Sequence, residues 1–180
     1  MRIQPVIPGT RPELKEQEAE ILAQRGRISL LYQTLLNSPP IAHGWEQMLS
    51  AVRNKSSLSD GIKELVILRV AVLNNAPYEF EAHAPIAFKS GVKQEAIDQL
   101  KNIAYEVNHT SINQSAHFYT DEQVLVLKLT DTMTKEITVG DDLYGQIKQH
   151  FNAQQQVDLV ATVASYNMVS RFLEALQIGH

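Results

Sequence analysis

The sequence predicts an all-α protein of about eight helices. Apolar residues recur at helical spacing along most of the chain, and no segment shows the apolar–polar alternation of a half-buried strand. Helix start signals recur as well. Pro12 and Pro77 fit a first helical turn, Ser59 fits an N-cap, and Thr120 with Gln123 forms a capping box. These observations favour helices throughout over a fold that contains a sheet.

The N-terminal part predicts an arm followed by three helices. The first ten residues contain two prolines and read as an extended arm. Pro12 permits a helix start, and residues 13–25 are good helix formers. Residues 28–37 carry apolar side chains at a helical period and end at a Ser-Pro-Pro sequence. Residues 41–54 then place an aromatic and two aliphatic side chains on one side of a third helix.

The centre of the chain contains its most apolar segment, within residues 58–74. A strand is the rival interpretation of the run LVILRVAVL, but the length of the run and the N-cap signal of Ser59 favour a helix buried on most of its surface. After two asparagines, Pro77 fits the first turn of another helix that runs to about Lys89. Gly91 is a natural C-terminal stop.

The C-terminal half predicts four more helices and one long loop. Residues 92–103 form a short amphipathic helix, and residues 105–118 are polar and irregular, which predicts the loop. The capping box starts a helix over residues 120–136. Residues 140–151 and 152–176 complete the chain as two helices.

The composition excludes several classes of function. The chain has no cysteine, so disulfides, cysteine-based zinc sites and thiol nucleophiles are impossible. The net charge is -4 and the cationic residues are scattered, which argues against a nucleic-acid partner. The longest apolar run, Leu65–Leu73, is about half of a membrane span and is interrupted by Arg69. With no secretory signal visible, we expect a soluble, cytoplasmic protein without a membrane partner.

A group of chemically active residues follows the apolar segment. Glu79 and His83 are four residues apart and share one face of a helix, with Tyr78 roughly 100° round it. If the two helices pack antiparallel, Glu64 of the first approaches His83 of the second. A carboxylate facing an imidazole in an apolar setting is a plausible proton-transfer pair.

Plainer interpretations of the same residues stay open. A Glu–His pair at this spacing is often a solvated helix face, and Glu64 could be a first-turn acid favoured by the helix dipole. Arg69 could form an ion pair at a subunit boundary, or extend its charged end to water.

The other histidines show no ligand spacing such as His-x-x-x-His within one helix, so we expect no metal site. Each is interpreted as a surface or satisfied core residue, and the terminal histidine is expected to be mobile. They are His43, His109, His117, His150 and His180.

The residues Leu58-Ser59, KELVILRVA and PYEFEAHAPIAFKSGV, in this order and spacing, resemble the carboxymuconolactone decarboxylase family of the alkylhydroperoxidase D-like superfamily. The resemblance covers roughly residues 28–178 and is strongest over residues 58–97. It implies an all-α alkylhydroperoxidase D-like fold whose subunits form trimers or hexamers. The chain then divides into an N-terminal arm and helix, residues 1–27, and the family domain, residues 28–180.

The peroxidase branch of this superfamily uses a Glu, eleven residues, then Cys-x-x-Cys-x-x-x-His. On this pattern Glu64 matches the glutamate and His83 the histidine, while the two cysteine positions fall on Ala76 and Glu79. Tyr78 stands where the pattern often has a further histidine. Peroxide reduction by a dithiol needs a thiolate, so alkylhydroperoxidase or peroxiredoxin-type activity is the least favoured alternative.

The decarboxylase branch needs no cysteine, metal or organic cofactor. The resemblance therefore implies a cofactor-independent lyase acting on a small carboxylated or lactone-like substrate. His83 would donate the proton, Glu64 would hold or relay it, and Arg69 would anchor a carboxylate. Tyr78 and Glu79 would line the pocket. The remaining alternative is a non-enzymatic oligomer that binds a small ligand, in which the Glu–His pair is a structural remnant.

Overall fold

A computed structural model describes residues 1–179, in which every regular element is a helix and none is a strand. The all-α prediction is confirmed. The expected mobility of His180 lies outside the described residues. The helices are α1 (Lys15–Arg25), α2 (Leu30–Leu35), α3 (Pro39–Asn54), α4 (Asp60–Leu73), α5 (Pro77–Lys89), α6 (Gln94–Gln99), α7 (Thr110–Gln114), α8 (Asp121–Lys135), α9 (Asp141–His150) and α10 (Ala153–Leu176).

The chain forms two compact units. The first comprises Met1–Lys55 together with the C-terminal residues from Phe172, and the second is Ser56–Arg171. The division after residue 27 that the sequence suggested stays a prediction. Among the described residues, no helix is long and apolar enough to cross a membrane.

The first unit holds the N-terminal arm in place through backbone contacts. The amide of Arg2 donates to the carbonyl of Leu176 at 2.9 Å, and the amide of Val6 donates to the carbonyl of Gln33 at 2.9 Å. The side chain of Val6 is buried. The arm is therefore part of the packed structure of this unit, because its backbone groups have partners there.

The second unit is built around α4, which is buried on almost every side. Its N-terminus is capped as predicted, because the hydroxyl of Ser59 accepts a hydrogen bond from the amide of Ile62 at 3.4 Å. The helix packs against α5 and α8, which explains why its apolar residues show no single hydrophobic face. The prediction of a helix over the rival strand is confirmed.

The turn between α4 and α5 returns the chain along α4. Asn75 adopts a left-handed conformation, with φ of 53°, and the amide of Ala76 donates to the carbonyl of Ala71 at 2.8 Å. Pro77 then occupies the first turn of α5, where its missing amide proton costs no helical hydrogen bond. This tight reversal sets the side chains of α5 against those of α4.

The segment predicted as a long loop contains a short helix, α7. Its first turn is stabilised by side chains rather than by a typical sequence signal. Glu106 accepts hydrogen bonds from the amide and hydroxyl of Ser111 at 2.7 and 2.8 Å, and Asn108 accepts from the amide of Thr110 at 3.2 Å. Ile112 is fully buried and ties the helix to the core. Polar composition therefore concealed an ordered segment.

Candidate active site

Glu64 and His83 meet in the second unit, where α4 and α5 pack together. Oε2 of Glu64 lies 2.6 Å from Nδ1 of His83. Both side chains are buried, with 5% of Glu64 and 6% of His83 exposed. Glu64 comes from the N-terminal half of α4 and His83 from the middle of α5, so the reversal between the helices brings them together. The structure therefore forms the contact on which the sequence hypothesis depends.

Glu79 occupies the other side of the same ring. Its Oε1 lies 3.3 Å from Nε2 of His83, one helical turn away along α5. Glu79 is buried as well, so the four-residue spacing does not form a solvated face. The imidazole thus lies between two buried carboxylates. We call Glu64, His83 and Glu79 the Glu–His–Glu cluster.

The cluster changes the protonation of the histidine. Burial opposes a charged imidazole, but the hydrogen bonds and charges of Glu64 and Glu79 outweigh it and raise the pKa of His83 from 6.5 to about 9. The ring is therefore an imidazolium at neutral pH, with both nitrogens as donors. A proton donor is in place in the resting site.

Tyr166 of α10 completes the surroundings of the ring and was missed by the sequence reasoning. Its ring meets that of His83 edge-on, with centroids 5.5 Å apart and planes at 84°. This is a favourable geometry for an aromatic pair and limits rotation of the imidazole. The only available signal was a lone tyrosine inside an otherwise small and aliphatic helical stretch.

A buried polar network holds α10 beside the site. The side-chain amide of Asn167, next to Tyr166, donates to Oγ1 of Thr134 at 2.9 Å and to the carbonyl of Val163 at 3.0 Å. The side-chain amide of Asn74 in turn donates to Oδ1 of Asn167 at 2.9 Å and to Oγ of Ser170 at 2.7 Å. The network links the end of α4 to α8 and α10. It therefore holds the part of α10 that carries Tyr166 in position beside His83.

Arg69 does not supply a free cation to the site. Its guanidinium is 0% exposed and makes a two-point ion pair with Asp131 of α8, with both N–O distances 2.6 Å. It also donates to the carbonyls of Ile103 at 2.8 Å and Leu100 at 3.3 Å. The charged end therefore neither reaches water nor is open to a substrate, and the structure gives no support to Arg69 as a carboxylate anchor. Asp131 was not singled out in the sequence.

The remaining predicted site residue, Tyr78, is half-buried in the first turn of α5, next to Glu79. Its part in lining a pocket stays a prediction. Within residues 1–179, no group of three or more histidine, aspartate or glutamate side chains is arranged to hold a metal ion.

Comparison with solved structures establishes the class of fold. A peroxidase-related protein from Ralstonia eutropha JMP134, described as an alkylhydroperoxidase AhpD core, superposes with a TM-score of 0.77 at 17% identity, covering 97% of this chain and 88% of that chain. The debrominase Bmp8, as its C82A variant in complex with 2,3,4-tribromopyrrole, gives 0.75 at 12% identity, covering 98% and 90%. At these identities the likeness shows the fold alone, which is alkylhydroperoxidase D-like.

The sequence comparison matches one part of the chain to a family. Residues 39–112, which contain the whole Glu–His–Glu cluster, match the model of the carboxymuconolactone decarboxylase family. The uncharacterized protein YdfG of Bacillus subtilis (strain 168) is 27% identical over 124 residues, which are 68% of this chain and 78% of that protein. Over less than half of its length, this cysteine-less chain is thus similar to the carboxymuconolactone decarboxylase family.

Proposed function

We propose that this protein is a cofactor-independent lyase-type enzyme that transfers a proton to carbon in a small carboxylated or lactone-like substrate. The observation that carries the proposal is the buried contact of 2.6 Å between Glu64 and His83, with Glu79 on the other ring nitrogen. An imidazolium held in this way is a positioned general acid.

The two ring nitrogens have different roles in this proposal. The short contact at Nδ1 lets Glu64 fix the ring and stabilise its positive charge. The contact from Nε2 to Glu79 is longer, 3.3 Å, so a substrate oxygen or carbon can replace it more easily. Nε2 is therefore the nitrogen that delivers the proton to the substrate. Nδ1 is the nitrogen through which Glu64 orients the ring.

A lyase reaction at this site balances without any further reactant. In a decarboxylation, the bond between the carboxyl carbon and the ring carbon breaks, CO₂ leaves, and the electron pair delocalises into the unsaturated lactone. The proton from Nε2 of His83 then forms the new C–H bond, and solvent restores it. Without a carboxyl group, the carboxylate of Glu79 can take a proton from one carbon of an unsaturated lactone while Nε2 of His83 gives a proton to another carbon, which shifts the double bond. In either case the imidazolium of His83 stabilises the negative charge that develops on the lactone.

The similar proteins do not indicate which reaction this chain catalyses. One solved neighbour is a debrominase and another is described only as peroxidase-related, so the fold supports more than one chemistry. Thiol chemistry needs a sulfur nucleophile, and the chain has no cysteine. Acid–base chemistry at His83 is the activity for which the chain has the necessary groups.

The test measures turnover of two unsaturated lactones by the wild type, by His83→Ala and by His150→Ala. The substrates are γ-carboxymuconolactone, followed by loss of ultraviolet absorbance, and α-angelica lactone, followed by its conversion to the conjugated isomer. We expect the wild type to turn over at least one of the two lactones. The rate should fall by about 10²-fold or more in His83→Ala. It should not change in His150→Ala, because His150 is exposed. Turnover that survives His83→Ala contradicts the proposal, as does inactivity of the folded wild type on both.

We also propose that the active form is a homo-oligomer, a trimer or hexamer, as the family resemblance implies. Light scattering after size-exclusion chromatography tests this. A mass of one chain of 20.2 kDa across the measured concentrations would reject it.

A further inference from the structure

A cleft of about 170 Å³ lies in the second unit, where α4 ends and α5 begins. Its floor is apolar and belongs to a hydrophobic core cluster, because Ala71, Ala76 and Phe80 have only 1%, 1% and 6% of their surface exposed. The residues that line the cleft do not include any member of the Glu–His–Glu cluster. The proposed catalysis therefore gives this cleft no role.

The tight turn between the two helices holds the cleft in shape. The amide of Ala76 donates to the carbonyl of Ala71 at 2.8 Å, so the backbone under the floor is closed by a hydrogen bond. Pro77 lines the rim, and its ring fixes its own φ. A cleft that is already formed needs little ordering when a ligand binds, which lowers the free-energy cost of association.

A cation stands at the edge of the apolar floor. Among the described residues that line the cleft, Lys101 alone is charged. It lies in the turn after α6, is exposed, and places its ammonium 4.4 Å from the centroid of the Phe80 ring. The ammonium can donate to an anion while the stem of the side chain stays on the apolar surface. Asn75, exposed at the rim, adds a side-chain amide that can donate to the same anion.

The volume and the lining indicate the chemistry of a ligand. An apolar cavity of about 150 Å³ accommodates benzene, so the cleft is large enough for one six-membered ring. A ring on the floor gains from burying apolar surface and from contact with Phe80. A carboxylate on that ring would meet the ammonium of Lys101 and form a charge-assisted hydrogen bond. A ring without a charge, or a small acid without a ring, would use only half of these contacts.

We propose that the cleft is a binding site for a small aromatic carboxylate, with the ring on Ala71, Ala76 and Phe80 and the carboxylate at Lys101. The site is additional to the Glu–His–Glu cluster and does not depend on the proposed catalysis. A ligand that binds here stabilises the folded chain, because the unfolded chain does not form the cleft.

The experiment titrates three probes into the protein and follows backbone amide and methyl signals by nuclear magnetic resonance. Benzoate has the ring and the charge, benzamide has the ring alone, and acetate has the charge alone. Lys101→Gln removes the cation of the cleft, and Ala76→Leu fills its floor. Lys148→Gln is the matched control. Lys148 is also exposed and lies over a ring, 5.4 Å from the centroid of Tyr144, but it does not line the cleft.

We expect the wild type to bind benzoate at least about fivefold more tightly than benzamide and at least about tenfold more tightly than acetate. The largest signal shifts should fall on the residues of the cleft. Lys101→Gln should remove the advantage of benzoate over benzamide, and Lys148→Gln should keep it. Ala76→Leu should abolish binding of both ring compounds. Circular dichroism confirms folding, and if Ala76→Leu does not fold, the three probes and Lys101→Gln decide.

Several outcomes would overturn the inference. They are equal binding of benzoate and benzamide, an advantage that Lys101→Gln does not change, shifts centred outside the cleft, and no saturable binding of benzoate. Loss of benzoate binding in folded His83→Ala would place the ligand at the Glu–His–Glu cluster and would overturn it as well. Unchanged binding in His83→Ala, without turnover of any lactone by the wild type, would reject the proposed catalysis and leave this site standing.

Discussion

The guanidinium of Arg69 and the carboxylate of Asp131 form a two-point ion pair inside the second unit, with both N–O distances 2.6 Å and both side chains removed from water. The pair joins α4 to α8, and the same guanidinium reaches two backbone carbonyls after α6. Burial raises the pKa of Asp131, and the hydrogen bonds and charge of Arg69 oppose that rise. The pair is therefore a structural bond between helices.

Removing one partner of this pair should be strongly destabilising. Asp131→Asn leaves the buried guanidinium without its counter-charge, and we expect the free energy of unfolding to fall by about 3–5 kcal/mol. Urea denaturation measures it. Glu122→Gln, at an exposed position of the same helix, is the control and should change stability by no more than about 0.5 kcal/mol. A loss equal to that of the control would show that the pair contributes little.

The stability of the chain should depend on the charge of His83. Because the pKa of His83 in the folded chain is about 9, above its ordinary 6.5, protonation of the ring stabilises the folded state. This contribution is complete below about pH 6.5 and is lost as the pH rises through about 9. Urea denaturation over that range should show falling stability in the wild type and a smaller fall in His83→Gln. Parallel curves for the two proteins would contradict the raised pKa.

Asn167 should stabilise the second unit through its network. Asn167→Ala removes the hydrogen bonds from Asn74 and to the buried Thr134, and we expect a loss of about 1–3 kcal/mol in thermal or urea unfolding. The ring proton signals of His83 should also shift, because the neighbouring Tyr166 loses its support. Gln154→Ala, exposed in the first turn of α10, is the matched control and should alter neither measurement.

The capping box of α8 should contribute measurably by itself. Thr120→Ala removes the hydroxyl that accepts from the amide of Gln123 at 3.2 Å, and we expect a loss of about 1 kcal/mol. Thr120→Ser keeps the hydroxyl and should retain most of the stability. If both variants lose the same amount, the effect comes from the methyl group of the threonine rather than from the cap.

The parts of the fold that the sequence predicted depend on local rules. Ser59 and Thr120 were recognised as caps because a side-chain oxygen placed there satisfies backbone amides that lie close in sequence. The contact between Glu64 and His83 also followed from one assumption, the antiparallel return of α5 along α4. Given that return, the positions of Glu64 along α4 and of His83 along α5 determined that these two side chains meet.

The parts that the sequence did not predict depend on long-range partners. Nothing near Arg69 indicates Asp131, which lies 62 residues away, so the guanidinium was interpreted as a substrate anchor. Tyr166 reaches His83 from another helix for the same reason. The order of α7 arises from the side chains of Glu106 and Asn108, whose polarity indicated a loop.

The hydrogen bond between the amide of Arg2 and the carbonyl of Leu176 places the two ends of the described chain side by side. Such proximity makes the chain a candidate for circular permutation. A short flexible linker could join the ends, and new termini could be opened at the exposed Val107–Asn108 peptide before α7. In the permuted chain α10 would be followed directly by the arm and α1, so the order of synthesis of the elements would change.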